Sequence, residues 1–293
     1  MSIRLQMLSA ASRAKTILGD SSSLVANFLF GCLNDDGGFT GREGQSDLYY
    51  TVFALEALLA LGEELEHEKI LSYLESFGAG ENLDFVHSAC LARSLANLTN
   101  EINKDVRQGL LHNIENARCE DAGYSHAGRH CGSIYGCFFA TCCYQDLKAH
   151  LPDKKELLNF VKSLRQPCGG YANQLSAPLP NSSSTAAAMT ILKSFNQPVT
   201  DSSAKWLLDN CYRQGGFCVA QNVPIPDLLS TATVLHALRV NNIDITDIRQ
   251  NCLDFVNSLR TGDGGFCASF ADKTPDCEYT YYGLLALGHL CGN

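Results

Sequence analysis

Two kinds of apolar segment alternate along the chain. One kind is apolar on nearly every side, as at 52–61, 186–195 and 281–290. The other kind is apolar on one face and charged on the opposite face, as at 68–77, 155–164, 203–211 and 248–259. A helix that is apolar all round is normally buried, whereas a helix with one apolar face borders solvent. The alternation predicts an all-α fold of helical hairpins, each with an inner and an outer helix.

A short glycine motif precedes the inner helices. Two glycines and an aromatic residue recur at Gly37–Phe39, Gly169–Tyr171, Gly215–Phe217 and Gly264–Phe266, with a degraded copy at Ala122–Tyr124. Glycine permits positive φ angles and close packing of the backbone. We therefore expect each motif to lie in the loop from an outer helix to the next inner helix.

A second register marks the helix starts. Asp or Asn is followed four residues later by Thr or Ser in five pairs: Asp47/Thr51, Asp84/Ser88, Asn181/Thr185, Asp227/Thr231 and Asp276/Thr280. A sixth pair, Arg129/Ser133, keeps the hydroxyl without the acid, so the copies recur at intervals of 37 to 52 residues. Asp and Asn at a helix N-cap accept hydrogen bonds from otherwise unpaired backbone N–H groups.

The inner segments decide how the repeats close. An open helical array would expose its concave helices to water, and these segments are too apolar for that. The pattern therefore predicts a closed α/α toroid of about six hairpins. It forms one domain over residues 1–293, with repeats from about 22 to 291.

Composition narrows the class of protein. The chain has 293 residues, 45% apolar and 18% charged, with a net charge of -9. This excludes intrinsic disorder and argues against nucleic acid as a partner. No apolar run is long enough to span a membrane, and the N-terminus does not read as a secretory signal. We read the 14 cysteines as reduced thiols, which favours a cytoplasmic location.

The recurring Gly-Gly-aromatic and Asp-x-x-x-Thr motifs resemble those of the α/α-toroid superfamily of protein prenyltransferase β subunits and squalene/terpene cyclases. The resemblance runs from about residue 22 to 291 and is greatest to the β subunit of Rab geranylgeranyltransferase. The segment Arg129–Cys137 is similar to a stretch whose histidine contacts the prenyl diphosphate in that family. The resemblance implies a central apolar cavity for an isoprenoid or its diphosphate, with prenyl transfer as the reaction, and an α-type protein partner.

The resemblance also implies site residues. His126, Arg129, His130 and Arg42 would bind diphosphate, and Asp227 and Asp276 would act catalytically by holding a cation or metal near the reacting carbon. Three tyrosines would complete the substrate pocket: Tyr50, Tyr279 and Tyr282.

The family's zinc ligands are an Asp, a Cys and a His, and the corresponding positions here are Asp227, Leu229 and Tyr279. Two of the three ligands are thus missing, and we predict no cofactor, with Zn²⁺ the one metal that the family suggests.

Other functions stay open on the sequence alone. Each acid can simply cap its own helix, and the basic residues can lie in a solvated loop. The chain can also be a terpene-cyclase-like isomerase that uses an inner Asp as its acid. A third alternative is a binding or scaffold protein that kept the toroid and lost the chemistry.

Overall fold

The computed structural model describes residues 1–128, 130–221 and 223–292. Within these residues the elements are nearly all helical, apart from a 3₁₀ turn at Gly19–Ser21 and two antiparallel two-stranded ribbons. The helices are α1 Ile3–Ser12, α2 Ala14–Leu18, α3 Ser22–Phe30, α4 Leu48–Leu61, α5 His67–Glu75, α6 Phe85–Leu98, α7 Lys104–Asn116, α8 Ile134–Asp146, α9 Lys154–Ser163, α10 Ser182–Ser194, α11 Asp201–Asp209, α12 Leu228–Val240, α13 Thr246–Ser258 and α14 Cys277–Leu290. The ribbons pair β1 Ala172–Gln174 with β2 Ala177–Pro180, and β3 Phe217–Cys218 with β4 Pro226–Asp227.

The helices form a closed ring of hairpins, as the sequence predicted. In the described residues there are six inner helices, the even-numbered α4 to α14, and each contacts the next one along the chain. The last inner helix, α14, also packs against the first, α4, and the rings of Phe53 and Tyr282 lie 5.5 Å apart across this contact. The structure is therefore a closed α/α toroid and not an open superhelix.

The closing seam continues on the outside of the ring. Gly264 has a φ of +100°, and a Cβ added there would lie 2.4 Å from backbone atoms of Leu24 on α3. Glycine is required here because the last loop touches the backbone of the first outer helix directly.

The repeated motifs have a structural role at every copy. The side chains of Asp47, Asp84, Asn181, Asp227 and Asp276 each cap the inner helix that follows. In four copies the threonine hydroxyl accepts a hydrogen bond from the backbone N–H of the motif's aromatic residue: Phe39 to Thr51, Tyr171 to Thr185, Phe217 to Thr231 and Phe266 to Thr280. The threonine thus fixes the glycine loop to the helix that it introduces.

In the sixth copy, the prediction that Ser133 takes the threonine position is wrong by four residues. Ser133 does not occupy the threonine position; it is the N-cap of α8, and its hydroxyl accepts from the backbone N–H of Gly136. Cys137 then stands where the other copies have threonine, and the backbone of Tyr124 hydrogen-bonds to its thiol. A hydroxyl at position 133 fits both registers, so the sequence pattern alone could not separate them.

The N-terminal helix α1 lies at the end of the ring where the inner helices finish. The Arg4 Nε donates to Asp146 Oδ1 at 2.9 Å and the Arg4 Nη1 to Asn97 Oδ1 at 2.5 Å, both near the last turns of their helices. The backbone N–H of Ile3 donates to the side chain of Gln145 at 2.9 Å. The helix therefore acts as a plug that closes one end of the toroid.

Each of the 14 cysteines is a free thiol, and most are buried. Among the described residues, no helix combines the length and the apolar character needed to cross a bilayer.

Candidate functional site

A cavity of about 400 Å³ lies inside the ring. The inner helices α4, α8, α10, α12 and α14 contribute to its wall, and Met7 of the plug helix α1 reaches it from one end. Six of its residues are aromatic: Tyr49, Phe53, Tyr135, Phe138, Phe139 and Tyr282. This size and lining are typical of a site for a small, largely apolar ligand.

The cavity has a polar mouth and a mostly apolar body. Asn181, Ser183, Ser184 and Glu278 lie at the starts of their inner helices, and all four line the cavity. Deeper positions on the same helices are mostly apolar or aromatic, such as Ala187 and Tyr282, with Thr190 as a polar exception. The body therefore suits a hydrocarbon chain, and polar contacts are available where the ring opens.

Among the described residues that line this cavity, Glu278 is the one acid. Its Oε1 accepts a hydrogen bond of 2.7 Å from the Tyr49 hydroxyl. Burial among aromatic side chains raises the pKa of the Glu278 carboxyl to about 7, although the Tyr49 hydrogen bond lowers it and the nearby Asp276 raises it further. A carboxyl group with this pKa is present in both protonation states near neutral pH, as a general acid or base requires.

Asp227 and Asp276, the two predicted catalytic acids, lie at helix caps outside the cavity lining. Asp227 Oδ1 accepts from the backbone N–H of Ser230 at 2.7 Å. Asp276 Oδ1 accepts from Tyr279 N at 2.8 Å, and its Oδ2 accepts from Arg42 Nε at 3.0 Å. Burial raises the pKa of both carboxyls. The structure accordingly gives both residues a structural task, and their catalytic use stays a prediction.

Arg42 crosses the closing seam of the ring. Besides Asp276, its guanidinium pairs with Asp272 at 2.8 Å, and it lies 5.9 Å from the ring centre of Tyr279. The hydrogen bond to Asp272 raises the pKa of Arg42 and keeps it charged. Tyr50 packs against the neighbouring Gly41 in the same loop. Arg42, Tyr50 and Tyr279, which were predicted to bind substrate, therefore lie together at the seam. Of the three predicted tyrosines, Tyr282 is the one that lines the cavity.

The predicted diphosphate residues are only partly brought together. His126 lines the cavity mouth, with its ring 5.3 Å from that of Tyr135. His130 is exposed in the same loop, and Arg129 lies outside the described residues. Sequence reasoning had not singled out Asn173, whose Oδ1 accepts from Tyr135 N at 3.1 Å and which lines the mouth beside His126.

The positions of the family's zinc ligands do not fit a zinc ion here. Leu229 lies in the cavity wall and carries no donor atom, and Tyr279 faces the Arg42 guanidinium. That leaves the Asp227 carboxylate, which already caps α12. In the part of the chain that the structure describes, no three His, Cys, Asp or Glu side chains are grouped as a metal site would need.

Another groove, of about 590 Å³, lies on the outer surface between the loop before β4 and α13. Ile225, Phe255 and Phe270 form its apolar side. Its one carboxylate, Asp254, accepts a hydrogen bond from Gln250 on the same helix. The central cavity is the better candidate because it combines an aromatic wall with a carboxyl group of shifted pKa.

The sequence of this chain matches one family model, that of the prenyltransferase α/α-toroid domain, over residues 3–82, 81–178 and 184–291. No protein of curated function matches its sequence.

Solved structures share the fold at low identity. Protein geranylgeranyltransferase-I of Candida albicans, complexed with GGPP, superposes with a TM-score of 0.67 at 16% identity, over 92% of this chain and 90% of that one. A variant of the type II terpene cyclase MstE from Scytonema, in complex with geranylgeranyl dihydroxybenzoate, gives 0.65 at 13% identity, over 95% and 97%. An α-1,6-mannanase from Salegentibacter sp. gives 0.65 at 11% identity, over 92% and 98%. Because proteins of such different activity share this fold, the likeness shows the fold alone.

Proposed function

Because the chain belongs to the prenyltransferase α/α-toroid domain family, we propose that its central cavity binds an isoprenoid-like ligand and that Glu278 exchanges a proton with it. The observation that carries this proposal is the position of Glu278, a half-buried carboxyl with a pKa of about 7 in the wall of an aromatic cavity.

The ligand class follows from the shape and lining of the cavity. A branched hydrocarbon chain would bury its surface against Phe53, Phe138 and Phe139, and each buried CH₂ group contributes roughly 0.8 kcal/mol. A polar head group would stay at the mouth, within reach of Asn181 and His126. Two of the superposable proteins carry GGPP or a geranylgeranyl compound, which agrees with this choice of ligand.

The chemistry follows from the surroundings of the carboxyl group. Protonated Glu278 can add its proton to one carbon of an alkene, and the electron pair of the double bond forms the new C–H bond. The faces of Tyr49, Phe53 and Tyr282 can stabilise the resulting carbocation. Loss of a proton from a neighbouring carbon to the Glu278 carboxylate restores an alkene, so the net reaction is an isomerisation. Attack by a second double bond of the same ligand would give a cyclisation instead.

Transfer of a prenyl group to a thiol, which the resemblance also implies, has less support from the site. The positions that would bind zinc supply a single carboxylate, and Arg42 is engaged by two acids at the seam. An α-type protein partner stays a prediction, which co-purification of the protein from its own cells would test.

Deuterium exchange tests the proposed proton transfer. Geraniol and geranylgeraniol are incubated with the protein in D₂O, and the recovered alcohols are analysed by mass spectrometry. We expect deuterium at alkene or allylic carbons with the wild type, at a rate that falls as the pH rises through about 7, because the protonated form of Glu278 is then lost.

Glu278→Gln should abolish the exchange, and Glu64→Gln, at an exposed position outside the cavity lining, should leave it unchanged. Exchange that persists in Glu278→Gln, or that the wild type never shows above the protein-free rate, would contradict the proposed chemistry.

A further inference from the structure

Two histidines form a buried pair at the deep end of the central cavity. His236 on α12 and His289 on α14 are each 3% exposed, and the Nδ1 of His236 lies 3.0 Å from the Nε2 of His289. The ring of His236 forms part of the cavity wall. Burial, with the positive charge of Arg93, lowers the pKa of His236 to about 4, so the pair is uncharged at neutral pH.

The second ring nitrogen of His236 has no partner. Its Nε2 is buried and makes no hydrogen bond with any described residue. A buried polar atom left without a hydrogen bond costs roughly 1–3 kcal/mol, and such atoms are rare in folded proteins. Since Nδ1 is held by His289, Nε2 is the ring nitrogen left for a further partner, and the His236 side chain borders the cavity.

The pair can present either a donor or an acceptor. When His236 Nδ1 carries the shared proton, its Nε2 is unprotonated and accepts a hydrogen bond. When His289 Nε2 carries it, His236 Nε2 bears the other proton and donates. The two states are different tautomers of both neutral rings: the second proton is on His289 Nδ1 in the first state and on His236 Nε2 in the second. His236 Nε2 can therefore match either a hydroxyl or a carbonyl oxygen.

The depth of His236 sets where the partner atom must lie on a ligand. His236 is nine residues beyond the cap residue Asp227, whereas Glu278 is two residues beyond Asp276. Seven residues at about 1.5 Å each place His236 roughly 10 Å deeper than Glu278 along the ring axis. The wall between these levels is mainly aromatic and aliphatic, and the hydroxyl of Thr233, which also lies there, donates to the backbone oxygen of Leu229.

We propose that His236 Nε2 is a distal binding subsite, which hydrogen-bonds to a hydroxyl or carbonyl oxygen at the far end of the isoprenoid-like ligand. This inference rests on the proposed function and refines its substrate class. The preferred ligand carries oxygen at both ends of a short hydrocarbon chain, with its head group at the mouth near Glu278 and its terminal oxygen on His236. Thr190 and Thr233 line the cavity beside this position.

The test compares two probes that differ by one oxygen. Geraniol and ω-hydroxygeraniol, which has a second hydroxyl on its terminal methyl group, are titrated into the protein by calorimetry. We expect the wild type to bind ω-hydroxygeraniol about tenfold more tightly, as one additional buried hydrogen bond supports. In histidine-selective ¹⁵N NMR spectra, ω-hydroxygeraniol should shift the Nε2 resonance of His236 and geraniol should not.

Substitutions separate the subsite from a general loss of binding. His236→Phe should remove the preference for ω-hydroxygeraniol while geraniol still binds, and His236→Gln should restore part of it because the amide again offers a hydrogen bond. His112→Phe, at an exposed position of α7, is the matched control and should keep the full preference.

Equal affinity of the wild type for both probes, or an undiminished preference in folded His236→Phe, would overturn the subsite and leave the proposed function intact. If neither probe binds, the proposed function fails, and the subsite with it.

Discussion

Replacing Glu278 with glutamine should raise the unfolding free energy above that of the wild type at neutral pH. At pH 4.5 this advantage over the wild type should be much smaller. The pKa of Glu278 is about 7 in the folded protein, against 4.5 for an ordinary glutamate. At 1.36 kcal/mol per pH unit, this difference corresponds to about 3 kcal/mol of unfolding free energy. Glutamine cannot ionise but keeps an oxygen that accepts the hydrogen bond from Tyr49.

The folded protein binds the Glu278 proton more tightly than the unfolded chain, and this sets the direction in which the unfolding free energy changes with pH. Below about pH 4.5 the carboxyl is protonated in both states, so ionisation contributes nothing. As the pH rises towards 7, the unfolded chain releases the proton first, and the folded wild type loses stability. Above about pH 7 the full penalty of about 3 kcal/mol applies to the wild type and is absent from Glu278→Gln.

Urea denaturation at a series of pH values measures this difference. Trp206 is the one tryptophan of the chain and is 3% exposed, so its fluorescence reports unfolding directly. Tyr49→Phe removes the hydroxyl that donates to the Glu278 carboxylate, so the pKa of Glu278 should rise further. The loss of stability with rising pH should then be complete at a higher pH than in the wild type. Glu64→Gln controls for the change in net charge. A difference between Glu278→Gln and the wild type that stays constant from pH 4.5 to 8 would refute the reasoning about this carboxyl.

Two further substitutions test the ring itself. Arg42→Met should lower the unfolding free energy by about 2 kcal/mol, because it leaves a buried acid at the seam unpaired, whereas Lys205→Met breaks only an exposed pair and should cost at most about 0.5 kcal/mol. A loss no greater than that of the lysine variant would contradict the role assigned to the seam. Thr231→Val should cost about 1–3 kcal/mol, since the backbone N–H of Phe217 loses its buried acceptor, while Thr246→Val, on the surface, should change little. Equal effects of the two valine variants in urea denaturation would count against the threonine's part in fixing the loop.

The ring could be predicted from the sequence because its determinants are local and repeated. The Asp227 cap and the Thr231 hydroxyl act within one turn of the helix that they introduce, and the hydrogen bond to Phe217 spans 14 residues. Such spacings recur in register along the chain. The apolar character of the inner helices then left a closed ring as the arrangement that shields them from water.

The plug and the site depend on contacts that no local pattern encodes. Arg4 is polar and unremarkable in sequence, yet its partners Asp146 and Asn97 are 142 and 93 residues away. Arg42 likewise pairs with Asp276 across 234 residues, and its predicted contact with diphosphate stays a prediction.

The roles of neighbouring acids were equally hidden. Asp276 and Glu278 stand two residues apart at the same helix start, and no local pattern distinguishes their roles. The cap geometry turns Asp276 towards the backbone and Arg42, while Glu278 joins the cavity wall. The pairing of His236 with His289 required two helices that are adjacent only in the closed ring.

The central claim is that the hollow of the toroid is a ligand site, and a titration of geraniol into a cavity-filled variant tests it most directly. Ala187 lines the cavity, and Ala187→Phe would occupy much of its body, whereas Ala177→Phe adds the same side chain to the exposed β2 strand. Calorimetry should show saturable binding of one geraniol per chain to the wild type and to Ala177→Phe, and at least tenfold weaker binding to Ala187→Phe. Equal binding by all three proteins would place the ligand elsewhere and contradict the account.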